Sequence, residues 1–300
     1  MGEQHLFCGR IIKATAGFYY VSVPERGIYQ CRAKGAFRKA GHSPLVGDIV
    51  DIRLTATQDV EGNVERIHPR SSVLSRPSVA NVDGVLVVFA LKDPVPNLLH
   101  LDRILVSIEQ EDLPAVICFN KSDITDDEPA KELAAIYAGA GYTVLVTSAK
   151  THEGVDEVRQ RLAGKLFTVA GPSGAGKSSL INCLQNDIVM ETGEVSKKIG
   201  RGKQTTRHIE LVAVDRNSYI VDTPGFGAVS VPDMKPLSLA ACFPEMAGAE
   251  EKCRFRGCAH IDEPDCEVKR LTEEGRIAAS RYESYRILYQ ELLDKGKRKY

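Results

Sequence analysis

The chain has 300 residues, with 39 Lys and Arg against 40 Asp and Glu and a formal net charge of −1. That length allows two or three domains with buried cores, and the balance of charge excludes a global field drawing the whole surface onto nucleic acid. No apolar run approaches the ~20 residues that span a bilayer, and the first residues lack a charged-then-apolar leader pattern, so a cytoplasmic protein without a membrane partner is expected. Eight cysteines in such a chain argue against a disulfide framework. Cys8, Cys31, Cys118, Cys183 and Cys242 are scattered and are expected to be buried, inert small hydrophobes.

Residues 1–72 carry short β-like runs at 10–13, 17–23, 28–32 and 48–54, with Gly at several breaks. A spacing near ten residues predicts a small all-β barrel, OB-like if five strands close it, with an SH3-like barrel as the alternative. From 73 to 233 the pattern becomes strand–helix–strand. Residues 84–89, 113–119, 142–146 and 166–170 read as apolar strands, and 98–110, 127–138 and 154–162 as helices between them. Such alternation predicts a mostly parallel sheet covered on both faces. Residues 208–214 and 218–221 read as a hairpin. In the last segment, 234–300, a short helical stretch at 237–241 leads into a Cys/His cluster. One charged helix over 273–294 and a basic tail follow.

Gly171-Pro172-Ser173-Gly174-Ala175-Gly176-Lys177-Ser178, followed by Ser179, lies between an apolar strand and a helix-compatible run. This is the context a phosphate-binding P-loop requires. Its backbone N–H groups would cradle phosphates at a helix N-terminus, Lys177 would reach the β- and γ-phosphates, and the Ser178 hydroxyl would ligate Mg²⁺. Asn120-Lys121-Ser122-Asp123 follows another apolar strand. An Asp123 carboxylate can accept from guanine N1–H and its exocyclic amine, whereas adenine would leave it unpaired, so GTP and GDP are the expected ligands. Asn120 would tie the base-reading loop to the pocket, the Lys121 stem would lie over the base, and Ser148-Ala149-Lys150 could offer a backbone N–H to guanine O6. Asp222-Thr223-Pro224-Gly225 reads as a sensor, with Asp222 holding Mg²⁺ through water and the Gly225 N–H meeting the γ-phosphate. The polar, cationic segment 200–207 between P-loop and sensor suits a switch loop. Thr206 is the candidate that closes over Mg²⁺, with Thr205 the near alternative.

Cys253-x₄-Cys258-x-His260-x₅-Cys266 offers three thiolates and one imidazole within a short loop. That donor set matches a closed, structural Zn²⁺ site. Unliganded thiols are the alternative, and an iron–sulfur centre is disfavoured by the His.

The motifs run reader, P-loop, switch, sensor, a cyclic rotation of the usual order. With a β-barrel before them and a Cys/His cluster after, the chain resembles the ribosome small-subunit-dependent GTPases of the RsgA (YjeQ) family. Asn81-Val82-Asp83-Gly84 and Leu101-Asp102-Arg103 also look like segments of that family. The resemblance covers essentially the whole chain. It implies an OB-like domain (1–72), a central α/β circularly permuted P-loop GTPase domain (73–233) and an α-helical zinc-binding domain (234–300). It implies GTP hydrolysis stimulated by the small (30S) ribosomal subunit, in late maturation of that subunit through rRNA contacts. The alternative is a GTP-gated RNA-binding module with incidental hydrolysis. No sustained heptad demands a dimer, so a monomer is expected.

Phe226 stands where related enzymes often place a water-orienting Gln, so basal turnover should be slow, on the order of 10⁻⁴ to 10⁻² s⁻¹. Gln204, where the family commonly has His, is the candidate to orient water; the other reading is a loop residue without a part in hydrolysis. Arg32, Lys34, Arg38 and Lys39, interleaved with Tyr29 and Phe37, form one candidate RNA patch. Arg254, Arg256, Lys295, Lys297, Arg298 and Lys299 offer further phosphate partners.

Overall fold

The computed structural model describes residues 6–35, 37, 43–55, 60–75, 78–192, 209–215, 217–221 and 230–298. The chain divides into two compact units, one from residues 1–84, 158–169 and 181–224, the other from 85–157, 170–180 and 225–300.

In the first unit five strands close a barrel. They are β1 (Leu6–Thr15), β2 (Phe18–Val23), β3 (Gly27–Ala33), β4 (Ile49–Leu54) and β5 (Glu61–Ile67), in the order β1-β2-β3-β5-β4 with β4 returning to β1. Neighbours are antiparallel except β3 and β5, which run parallel. This is the OB-like barrel of the sequence reading. Side chains alternate between the two faces of a strand, so Ile11, Val21, Cys31, Val50, Ile52 and Val64 fill the interior. Tyr29 also turns inward, and is therefore not the exposed aromatic expected in the RNA patch.

A short antiparallel pair follows, β6 (Val73–Ser75) with β7 (Ser78–Ala80). Asp83 then pins the start of a later strand: its carboxylate accepts from Leu166 N at 2.7 Å, and its own N–H donates to Leu166 O at 2.7 Å.

The second unit carries β8 (Gly84–Ala90), β9 (Ala115–Asn120) and β10 (Thr143–Thr147), parallel and in the order β10-β9-β8. Every residue of β8 is buried, as befits a parallel strand covered on both faces. Helix α1 (Leu98–Gln110) has the limits its pattern predicts. Asn97 caps it, its side chain accepting from His100 N at 2.9 Å, and Leu101, Ile104, Leu105 and Ile108 face the core. Helices α2 (Asp127–Gly139) and α3 (Val155–Leu162) flank β10 in sequence. Strand β11 (Leu166–Ala170) leads through the P-loop into α4 (Lys177–Thr192). In the first unit β11 pairs in parallel with β13 (Ser218–Val221), which pairs antiparallel with β12 (Leu211–Asp215), the predicted hairpin. That hairpin meets the barrel through Lys13 Nζ and a Glu210 carboxylate oxygen at 3.0 Å, and through Tyr219 OH donating to Ser22 Oγ at 3.2 Å.

Beyond residue 230 the chain folds into 3₁₀ turns and two helices, α5 (Glu267–Glu273) and α6 (Ala279–Arg298). The single charged helix expected over 273–294 is therefore corrected. Gly275 adopts φ +72°, the Arg276 N–H returns to Leu271 O at 2.9 Å and the Gly275 N–H to Thr272 O at 3.0 Å, a Schellman closure that stops α5 and redirects the chain. The core of this region joins Leu239, Phe243, Met246, Tyr285, Leu288 and Leu292 to Val106 of α1. Among the described residues no helix is long and apolar enough to cross a membrane.

Candidate functional site

The base-reading and phosphate-binding segments meet through one buried amide. Asn120 ends β9; its Nδ2 donates to Ala175 O at 3.0 Å, and its Oδ1 accepts from Ala149 N at 3.1 Å and Thr147 Oγ1 at 3.3 Å. Three segments distant in sequence are thus held by a single side chain. The contact also dictates the residue at 176: a Cβ there would lie 2.2 Å from Asn120 Nδ2, and the backbone has φ +89°, so glycine alone fits.

Asp123 lies beside Ser148 and Lys150. Its carboxylate accepts from Ser148 Oγ at 2.7 Å and faces Lys150 Nζ at 3.5 Å, and these partners hold its pKa below the usual carboxylate value. The result is an ionised, acceptor-only group, the chemistry that a two-donor base edge requires. Lys121 sits in the left-handed region at φ +70° with its ammonium on the Asp93 carbonyl, and Ser122 Oγ donates to a Glu153 carboxylate oxygen at 3.0 Å. Asp93 and Glu153 escaped the sequence reading, whereas Thr147 opens the segment expected at guanine O6. The first two support the loop by backbone or single side-chain contacts that leave no spacing signature.

Gly171, Pro172, Ser173, Gly174, Ala175 and Gly176 form the turn between β11 and α4, with Ser178 and Ser179 exposed in the helix's first turn. Lys177 folds back over this loop, Nζ donating to Gly171 O at 2.8 Å and Pro172 O at 2.7 Å. The cation, the turn and the positive helix end converge on one spot, an arrangement that attracts a polyphosphate. Gln204, Thr206, Asp222 and Gly225, with Thr205 and Phe226, lie outside the described residues. Of the three residues expected around Mg²⁺, only Ser178 is described.

Cys253, Cys258, His260 and Cys266 converge as expected, their donor atoms all within 4.8 Å of one another. His260 Nδ1 lies 3.6 Å from Cys253 Sγ and 3.3 Å from Cys266 Sγ. Tetrahedral Zn²⁺ with bonds of about 2.3 Å to sulfur and 2.0 Å to nitrogen puts such edges near 3.5 Å, so the residues fit that ion. Burial and the neighbouring sulfurs push the Cys258 thiol up to about 12, while burial lowers His260 and keeps its ring neutral. The Glu263 carboxylate accepts from Ala259 N at 2.6 Å and Ile261 N at 3.0 Å, and Tyr282 OH donates to His260 O at 2.7 Å. These bonds shape the loop independently of a metal ion.

Cys31, Cys118, Cys183 and Cys242 are buried, and burial pushes the Cys31 and Cys118 thiols up to about 12, in keeping with inert packing roles. Cys8 departs from that expectation and is exposed.

A base-reading loop that precedes its P-loop, on parallel strands and between a barrel and a Cys/His region, defines a circularly permuted GTPase. A family model described as RsgA GTPase matches residues 67–232, and the RsgA N-terminal domain model matches 8–63. The chain is 50% identical over 299 residues to the small ribosomal subunit biogenesis GTPase RsgA of Agathobacter rectalis, covering 96% of this chain and 99% of that one. It is 44% identical to the protein of the same description from Caldanaerobacter subterraneus subsp. tengcongensis, covering 97% and 98%. Among solved structures it is similar to YloQ, a circularly permuted GTPase (34% identity, TM-score 0.79, 97% of this chain and 96% of that one). It is also similar to YjeQ from Thermotoga maritima (35% identity, TM-score 0.80, 96% and 99%). The chain belongs to the RsgA GTPase family and is a GTP-hydrolysing enzyme.

Proposed function

We propose that this enzyme hydrolyses GTP in the late maturation of the small ribosomal subunit, that the subunit stimulates turnover, and that rRNA is its binding surface. The observation that carries the nucleotide half of this reading is Asn120, which couples the base-reading loop, the 148–150 loop and the P-loop in one hydrogen-bonded unit. The biological half is supported by relatives described as small ribosomal subunit biogenesis GTPases. Such a role would place the protein in the cytoplasm, where it would act as a monomer. The domain limits proposed are 1–72, 73–233 and 234–300.

In this reading Asp123 accepts from guanine, the Lys121 stem covers the base and the 148–150 backbone meets O6. Lys177 exchanges two loop carbonyls for β- and γ-phosphate oxygens, a local rearrangement that swaps neutral acceptors for charged ones. Ser178, Thr206 and Asp222 would hold Mg²⁺, which when bound neutralises developing phosphate charge. The Gly225 N–H follows the γ-phosphate, and Gln204 orients the attacking water. Cys253, Cys258, His260 and Cys266 would hold one structural Zn²⁺, with no open position for chemistry.

For rRNA, the barrel offers a recess of about 330 Å³ lined by Phe18, Tyr19, Arg32, Lys34 and Phe37, with the Arg32 guanidinium 4.8 Å from the Phe18 ring centroid. Lys34 is paired with Glu65, Arg254 with Asp265 at 2.8 Å and Lys297 with Asp294 at 3.7 Å. Exposed pairs of this type are worth ~0–1 kcal/mol, so phosphates can displace the carboxylates at little cost. Arg38 and Lys39 lie outside the described residues.

GTP turnover measured with and without purified small subunits tests the proposal, and strong stimulation is expected. Subunit binding without stimulation would favour the alternative, a GTP-gated RNA-binding module. Gln204→Ala with an unchanged stimulated rate would remove Gln204 from the mechanism.

A further inference from the structure

Cys8 is exposed on the barrel wall, where an apolar packing role does not account for it. Its cross-strand partner in the β1–β4 pairing is Asp51. On the other side of β4 the His68 N–H donates to Ile49 O at 2.9 Å, one pleat period from Asp51, and the His68 ring returns to Asp51 with Nε2 2.9 Å from Oδ1. The thiol, the carboxylate and the imidazole therefore project from one face of neighbouring barrel segments, with their donor atoms all within 4.8 Å of one another.

We propose that Cys8, Asp51 and His68 form a second metal site that takes Zn²⁺ or a similar borderline divalent ion, with the fourth position left to water or an incoming ligand. Three features carry the assignment. The donors are one sulfur, one nitrogen and one oxygen, a set that selects Zn²⁺ or Co²⁺ over Mg²⁺. Cys8 and Asp51 stand on paired strands of a closed barrel, and the backbone bond to Ile49 anchors His68, so little order remains to be imposed on binding. The imidazole and the carboxylate are already oriented toward each other. Arg66 is the cross-strand partner of Asp51 on β5, so the carboxylate brings little net negative charge until the Cys8 thiol loses its proton. Binding would exchange the thiol proton for the metal, leaving a thiolate. Three protein ligands with one open position contrast with the closed Cys253–Cys266 cluster. An ion here would clip β1 to β4 and to the chain leaving β5, stabilising the barrel by linkage.

The test uses the full chain, titrated with Zn²⁺ against a chromophoric chelator in excess Mg²⁺, and its thermal midpoint with and without added Zn²⁺. The wild type should bind about two equivalents. Cys8→Ser and His68→Gln should each lose one, together with the zinc-dependent rise in midpoint. Glutamine at 68 keeps a hydrogen-bonding group, so loss of metal is separable from loss of the Asp51 contact. A single equivalent that survives Cys8→Ser, or a second one indifferent to both substitutions, overturns the assignment. Failure of the Cys253–Cys266 cluster to bind metal would show differently, as a lone equivalent that disappears with Cys8→Ser.

Discussion

Arg281 of α6 gives the most demanding prediction. Its side chain is 1% exposed and grips Glu245 with two bonds, Nε to Oε1 at 2.7 Å and Nη2 to Oε2 at 3.0 Å, while Nη1 donates to Asp102 Oδ1 of α1 at 2.6 Å. Tyr137 OH donates to the same Asp102 oxygen at 3.0 Å, and the guanidinium lies 4.6 Å from the Phe243 ring centroid. Asp102 is fully buried and Glu245 nearly so. Arg281→Met keeps the apolar stem but leaves two buried carboxylates without their cation, a change worth about 3–5 kcal/mol of stability.

The loss should depend on pH. Burial pushes the Asp102 carboxyl above its usual range, and Arg281 is the principal group pulling it back. Without Arg281 the folded-state pKa rises further, so the folded form binds a proton that the unfolded form releases. The destabilisation is then full above that raised value and shrinks as pH falls toward the ordinary carboxylate range near 4. Urea unfolding at pH 7.5 and 5.5 reads both effects. Asp102→Asn added to Arg281→Met should recover part of the loss, because it removes one of the stranded charges. A loss below about 1 kcal/mol, or a deficit that grows on acidification, refutes the reasoning.

Gly176→Ala puts a methyl group against Asn120 Nδ2 at a left-handed backbone position, so a fluorescent GDP titration should show at least about tenfold weaker binding while the barrel stays folded. Asn120→Ala strands the Ala149 N–H and the Ala175 carbonyl and should weaken GDP by roughly 5- to 150-fold, corresponding to about 1–3 kcal/mol; an unchanged Kd would separate the base-reading loop from the P-loop. Ser148 and Lys150 hold the Asp123 pKa down, so GDP affinity should persist at the ordinary Asp value of about 3.9 and drop only below it. Ser148→Ala should move that drop to higher pH, and affinity lost already at pH 5 in the wild type would contradict the assignment. Cys258→Ala should remove one metal equivalent and lower the helical circular dichroism arising from α5 and α6, whereas full helicity with no metal bound would leave the cluster as free thiols.

Much of the fold is legible because apolar periodicity is a local signal. The α1 pattern predicts its observed limits, and β8 and β11 read correctly because strands covered on both faces are continuously apolar. Strand β5 escaped, since Glu61–Ile67 turns only Gly62 and Val64 fully inward and its other residues look like a polar loop. The break between α5 and α6 escaped for another reason: Gly275 sits within a charged run, where a helix can tolerate a glycine, and only the hydrogen bonds that close the turn reveal the stop. Cys8 was misread because burial habit describes a residue type, whereas exposure depends on which face of β1 a register assigns.

Residue identity and spacing set the chemistry available: a P-loop between a strand and a helix, an Asn-Lys-x-Asp reader ahead of it, and three cysteines with one histidine. These are covalent spacings, and they survive any packing. Folding set what those groups are joined to. Asn120 reaches Ala175 across the second unit, and Arg281 is buried between residues far away in the chain, although its type alone reads as solvent-facing. Contacts between distant residues leave no period and no spacing in a single sequence. They exist only because hydrophobic burial has first brought the elements together, after which each buried polar group must find a partner or cost about 1–3 kcal/mol or more.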